Sequence, residues 1–233
     1  MSPRSFFAAF VAFARLALGG EPIVPPVVTP RPDALKLACV GDSITAGTVL
    51  KNKAFTYPMQ LQRMLGDGWN VQNFGVSGAT MLESADKPYR KQKPFADALA
   101  FQPDVVVIKL GTNDSKPQNA AHPEHFAADC RALLAAFREA NPKVKFFLCL
   151  PVPAFPGNFG ITEDVLARVV RPPLRQVAAE EKIPLIDLHA ALAQHLDLFP
   201  DRVHPNAEGS GHIAQAVFTA VTGKAAPALE KSE

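Results

Sequence analysis

The sequence predicts an α/β fold: a doubly wound, three-layer α/β/α sandwich built on a five-stranded parallel sheet. Three observations carry this. From Leu35 onward, apolar runs of strand length alternate with segments of helical period. Two of those runs, 105–110 and 144–150, are apolar almost throughout, as strands covered on both faces must be. The length of 233 residues suits one such domain and is short for two.

The elements follow in chain order. Residues 1–20 start with Arg4, continue through an apolar stretch from Phe6 to Ala14, and place small residues at Ala17 and Gly19. That is the outline of a secretory signal peptide, too short in its apolar part to span a bilayer. Export to the periplasm or the extracellular space is the expectation; a cytoplasmic chain with an N-terminal extension is the alternative. Residues 21–33 carry Pro22, Pro25, Pro26, Pro30 and Pro32, a density that resists helix and inner strand alike and reads as an extended linker.

The domain itself is expected over 34–224, with 225–233 as a tail. Its strands are predicted at 35–40, 69–74, 105–110, 144–150 and 183–188. Between the third and fourth, Phe126, Cys130, Leu133, Leu134 and Phe137 share one helical face, with Pro123 suited to the first turn. A later helix carries Val165, Leu166, Val169 and Val170, and Pro172 and Pro173 are expected to break or kink it. The last helix opens at Asn206, a good N-cap, and runs through Ile213, Val217 and Val221.

Composition narrows the function. Lys and Arg number 24 against 22 Asp and Glu, a balance that builds no field for nucleic acid or an anionic membrane. Cys39, Cys130 and Cys149 are odd in number and lack C-x-x-C spacing, so they read as buried apolar thiols.

In a doubly wound sheet the ligand site lies beyond the carboxyl ends of the strands. Four short segments fall there: Gly41-Asp42-Ser43-Ile44 after the first strand, Asn73-Phe74-Gly75-Val76-Ser77-Gly78 after the second, Gly111-Thr112-Asn113-Asp114 after the third, and Asp201-Arg202-Val203-His204-Pro205 beyond the fifth. Each alone has a bland explanation as a turn or a cap. Four such coincidences at one edge are better explained by shared chemistry. A serine hydroxyl needs an imidazole to take its proton, and the imidazole needs a carboxylate to fix its tautomer. Ser43, His204 and Asp201 can fill those roles as catalytic residues. The oxyanion formed in acyl transfer needs preorganised donors, which the backbone N–H groups of Ser43 and Gly78 and the amide of Asn113 would provide.

As a set, these four segments resemble the SGNH (GDSL-type) hydrolases. The resemblance runs from Leu35 to about Val221 and departs at Ile44, where many members carry leucine. It implies a flavodoxin-like sandwich, a serine esterase mechanism without metal or other cofactor, and the oxyanion role of Gly78 in particular. The fuller text at 73–80, 111–119 and 199–206 is similar to the bacterial sialate O-acetylesterase-like or carbohydrate acetylesterase branch. That similarity implies deacetylation of sugars, of sialate or xylan type. The wider family also holds lysophospholipases, thioesterases and lipases, so acyl length stays open. A non-catalytic glycan-binding module is a third reading.

At the expected rim, Lys87, Tyr89 and Lys116 are candidate substrate contacts. Lys87, Arg90, Lys91 and Lys93 form a basic group that reads first as a solvated loop and second as an attractor of an acidic sugar. His122 and His125 straddle Glu124 but lack H-E-x-x-H spacing, and His189, His195 and His212 suit surface or supporting positions, so no metal centre is expected.

Overall fold

The computed structural model describes residues 25–120, 122–156 and 158–229. The predicted signal peptide, the start of the linker and the end of the tail lie outside them. Five parallel strands, β1 (Leu35–Gly41), β2 (Trp69–Gly75), β3 (Val105–Lys109), β4 (Lys145–Leu150) and β5 (Leu185–Asp187), form one sheet in the order β2-β1-β3-β4-β5. The direction of winding therefore reverses between β1 and β3, and that switch point is where a crevice opens in such sheets.

The strands are apolar because alternate residues serve two cores. Ala38, Val40, Val106 and Ile108 face one core, shared with the helices α3 (Lys93–Ala100), α4 (Phe126–Ala140) and α6 (Arg171–Glu180). Leu37, Cys39, Val105 and Val107 face the other, shared with α2 (Tyr57–Leu65), α7 (Leu188–Leu192) and α8 (Ala207–Thr222). The predicted face of α4, from Phe126 to Phe137, is buried in the first core.

All three cysteines are free and buried. Burial pushes the Cys149 and Cys130 thiols up to about 12, so they are poor nucleophiles and redox partners near neutral pH.

Two elements refine the reading of the sequence. The short helix α1 (Ser43–Ala46) follows β1 directly, and Gly75 at the end of β2 lets the two approach: a Cβ there would collide with the backbone of Ala46. Around Pro172 and Pro173 the helix is interrupted without ending. The chain passes from α5 (Glu163–Val165) through a π-helical turn over Leu166–Val170 into α6, whose first turn holds both prolines. The prolines supply no N–H to the helical ladder, and the π-helical turn before them shifts that ladder off its regular spacing where those donors are missing.

At the C-terminal end, Asn206 caps α8 by accepting from Gly209 N at 2.9 Å, as its position predicted. Part of the tail lies against this helix, where Gln215 Nε2 donates to Pro227 O at 2.8 Å. No described helix is long and apolar enough to cross a membrane.

Candidate active site

The four segments meet at the carboxyl edge of β1 and β3. Asp42 ends the strand and caps α1 by accepting from Ile44 N at 3.0 Å, which places Ser43 at the first helical position with 8% of its surface exposed. Ser43 Oγ lies 2.8 Å from His204 Nε2. On the far side of the ring, His204 Nδ1 lies 2.6 Å from Asp201 Oδ2. An Nδ1–H donated to that carboxylate leaves Nε2 bare to accept the serine hydroxyl, the tautomer that nucleophilic activation requires.

The turn that carries His204 is built around Asp201. Its Oδ1 accepts from Val203 N at 3.0 Å and His204 N at 2.7 Å, so Asp201 both caps the turn and orients the imidazole. Between them Arg202 adopts φ +71, a left-handed conformation that a long side chain rarely takes. Phe155 N donates to Arg202 O at 3.0 Å, and Asn158 Nδ2 donates to Asp201 O at 2.7 Å, so a neighbouring loop holds the turn in place. Burial raises the Asp201 pKa, but hydrogen bonds from the His204 backbone and side chain and from Val203 N outweigh it. The carboxyl is held below its ordinary value and stays ionised beside the imidazole.

Two of the three predicted oxyanion donors, Gly78 and Asn113, sit on a second pair of segments. Asn113 Nδ2 donates to Ala79 O at 3.0 Å, which orients the amide beside Gly78 and leaves its second N–H for another acceptor. Gly78 has φ +81, a conformation that favours glycine. Asp114 accepts from Met81 N at 3.0 Å and Leu82 N at 2.8 Å, tying the same two segments together again.

Beneath them lies a buried network with no assigned role in the sequence reading. Lys109 Nζ donates to Asp42 Oδ1 at 3.0 Å, Asp42 Oδ2 at 2.9 Å and Thr112 Oγ1 at 2.9 Å, with Lys109 and Asp42 both 0% exposed. It binds the serine segment to the Asn113 segment by charge. The available signal was the single charge in Val-Val-Val-Ile-Lys-Leu: a lysine in a strand covered on both faces requires a buried counter-ion.

Of the rim candidates, Tyr89 is corrected. It is only 1% exposed and donates its hydroxyl to Phe74 O at 2.8 Å, so it is a core residue beneath the Gly78 segment. Its phenol satisfies a backbone carbonyl instead of facing substrate. Lys87 is half-buried and bends back to donate to Ser77 O at 2.9 Å, and Lys116, also half-buried, follows the turn at Asn113–Ser115.

The rest of the basic group is held by acids and carbonyls. Arg90 pairs with Glu83 at 3.6 Å, Lys91 donates to Glu83 O at 3.4 Å, and Lys93 pairs with Asp97 at 2.6 Å. His122, Glu124 and His125 do come together, with ligand atoms within 4.8 Å of one another, and could supply three metal ligands from exposed positions. His189 instead pairs with Glu163 at 2.9 Å, and His195 stacks on His212 with ring centroids 5.4 Å apart.

Comparisons with known proteins place the chain among relatives. The chain is 39% identical over 216 residues to an acetylxylan esterase of Xylanibacter ruminicola, a match that covers 84% of the chain and 45% of that relative. The chain thus spans about half of that protein's length. Among solved structures, the acetyl xylan esterase AlAXEase aligns with a TM-score of 0.65 at 23% identity, covering 80% of this chain and 100% of that one. Est24, a carbohydrate acetylesterase from Sinorhizobium meliloti, aligns with a TM-score of 0.66 at 19% identity, covering 81% and 99% respectively. These two share the fold. The profile of the GDSL-like Lipase/Acylhydrolase family matches residues 39–211, a span that contains every segment of the site. The chain therefore belongs to the GDSL-like Lipase/Acylhydrolase family.

Proposed function

We propose that the chain is an exported serine esterase that removes O-acetyl groups from carbohydrate through an acyl-enzyme on Ser43. The observation that carries this is the hydrogen-bonded chain from Ser43 Oγ through the His204 ring to Asp201, at 2.8 and 2.6 Å. In the mechanism, His204 Nε2 takes the hydroxyl proton as Ser43 Oγ attacks the acetyl carbonyl carbon. The resulting oxyanion rests on Ser43 N–H, Gly78 N–H and the Asn113 amide. Collapse of the intermediate expels the sugar alkoxide, which takes the proton back from His204. Water, deprotonated by the same imidazole, then releases acetate and regenerates the serine.

The likeness to an acetylxylan esterase favours xylan-type glycans over sialates as substrates. Export fits the leader-like residues 1–20 and a polymeric substrate found outside the cell.

Acetate release from acetylated xylan and acetylated sialic acids, set beside a chain-length series of p-nitrophenyl esters, tests the reading. A steep fall beyond acetate with release from xylan is expected. A maximum at longer acyl chains would identify a lysophospholipase or thioesterase instead, and glycan binding without any ester cleavage would identify a binding module. A fluorophosphonate adduct on Ser43, absent in Ser43→Ala, locates the nucleophile; labelling elsewhere refutes it.

A further inference from the structure

We infer that Phe159 is the platform on which the sugar ring of the substrate lies, a specificity-determining contact that rests on the carbohydrate reading above. Phe159 is a large apolar side chain left 54% exposed. Its ring meets that of His204 edge to face, with centroids 5.7 Å apart and planes at 72°. An aromatic residue left half open to solvent beside a reactive imidazole has apolar surface to offer a ligand.

Its placement is built into the fold. Phe159 holds φ +55, which a bulky residue adopts only when its surroundings impose it. Asn158 imposes it from two sides: its Oδ1 accepts from Phe159 N at 3.0 Å, while its Nδ2 donates to Asp201 O at 2.7 Å. One side chain thus fixes the aromatic residue to the turn that carries His204. On the other flank, a Cβ on Gly160 would lie 3.0 Å from Pro117 Cδ, so the loop also leans on the segment that follows Asn113.

The chemistry then selects the ligand. His204 must protonate the leaving alcohol, so the alcohol side of the ester departs next to the imidazole, where Phe159 lies. The acetyl group is held instead by the serine and the oxyanion donors. Phe159 is therefore positioned for the alcohol portion, which in a glycan ester is a pyranose. The axial C–H face of such a ring stacks on an aromatic ring and tolerates variation in hydroxyl pattern.

The test compares the wild type, Phe159→Ala and Phe159→Trp on acetylated xylo-oligosaccharide and on ethyl acetate, whose alcohol is too small to stack. In Phe159→Ala the ratio of kcat/KM for the oligosaccharide to that for ethyl acetate is expected to fall about tenfold, mostly through KM, in line with the loss of one aromatic contact. Phe159→Trp is expected to restore it. An unchanged ratio, or a parallel fall on both esters, overturns the inference, since the latter means that Phe159 only props His204. If the wild type hydrolyses ethyl acetate but no acetylated sugar, the carbohydrate reading falls and this inference with it. Normal deacetylation by the wild type with an unchanged ratio in Phe159→Ala removes this inference alone.

Discussion

Two acid–base pairs flank Ser43, and they are built on opposite principles. Asp201 and His204 sit in a turn whose side chains keep 25% and 12% exposure, within reach of solvent and of the serine. Asp42 and Lys109 lie beneath the serine at 0% and 1%, and the lysine is held by three oxygens. The first pair can move a proton because its imidazole reaches both a carboxylate and a hydroxyl. The second reaches no reacting group, and its opposite charges clamp the carboxyl end of β1 to that of β3. In the proposed mechanism, separating the two tasks lets the turn pass a proton without loosening the frame that aims Ser43.

The largest effect is expected where the Asp201–His204 pair is broken. Asp201→Asn should lower kcat on the order of ten-thousand-fold, because an amide at that position favours the wrong imidazole tautomer and no longer stabilises the charged ring. A steady-state assay with p-nitrophenyl acetate measures it, and a loss under tenfold would show that Asp201 only caps its turn. Next comes the buried pair. Lys109→Met strands the Asp42 carboxylate and should cost about 3–5 kcal/mol in denaturant unfolding. The double variant Lys109→Met with Asp42→Asn should recover most of that stability while kcat stays depressed, since the clamp remains missing. Recovery of both together would make the pair a matter of stability alone.

Asn113 ties its own segment to the Gly78 segment, and the effect of its loss should be smaller again. Asn113→Ala is expected to lower kcat roughly 100- to 1000-fold with a lesser change in KM, the mark of a donor that serves the transition state. The same substitution frees Ala79 O, so a thermal melt alongside the kinetics separates a lost oxyanion contact from a loosened loop.

How much of this was legible beforehand depended on whether a residue's neighbours were near in sequence. The strands were readable because both faces are covered, which leaves only apolar residues in the text from Val105 to Ile108. Ser43, Asn113 and His204 were readable because each stands in a short block whose residue types are unusual for plain turns. Lys109 was visible but unexplained. Its partner is identified only by the register that sets Lys109 opposite Gly41, one residue before Asp42.

Tyr89 was misplaced because its polar neighbours suggest a surface loop, whereas the fold turns its ring under the Gly78 segment. Phe159 left no trace in the sequence, since nothing in Asn-Phe-Gly reveals that the loop docks on Asp201. The prolines at 172 and 173 pointed correctly to an interruption, but a π-helical turn absorbs it.

A last expected effect distinguishes two buried or half-buried carboxylates by pH. Asp114 and Asp201 both accept two or more backbone N–H groups, yet they are pushed in opposite directions. Complete burial moves Asp114 up to about 7 in spite of the Leu82, Met81 and Asp114 N–H donors that pull it down, with Asp42 adding repulsion. In the unfolded chain the same carboxyl ionises near 3.8. Between those values the folded protein binds a proton that the unfolded chain has released, so the contribution of Asp114 to stability is lost as pH rises through the window and is flat on either side. Asp201, held below its ordinary value, contributes with the opposite sign at more acid pH. Unfolding free energies of the wild type and Asp114→Asn, measured at steps from pH 4 to pH 8, isolate the first effect, because every other group cancels in the difference. The wild type is expected to gain on the variant as pH falls. A difference that does not vary with pH would mean that the donated N–H groups keep Asp114 ionised, making it a third fixed charge in the buried frame.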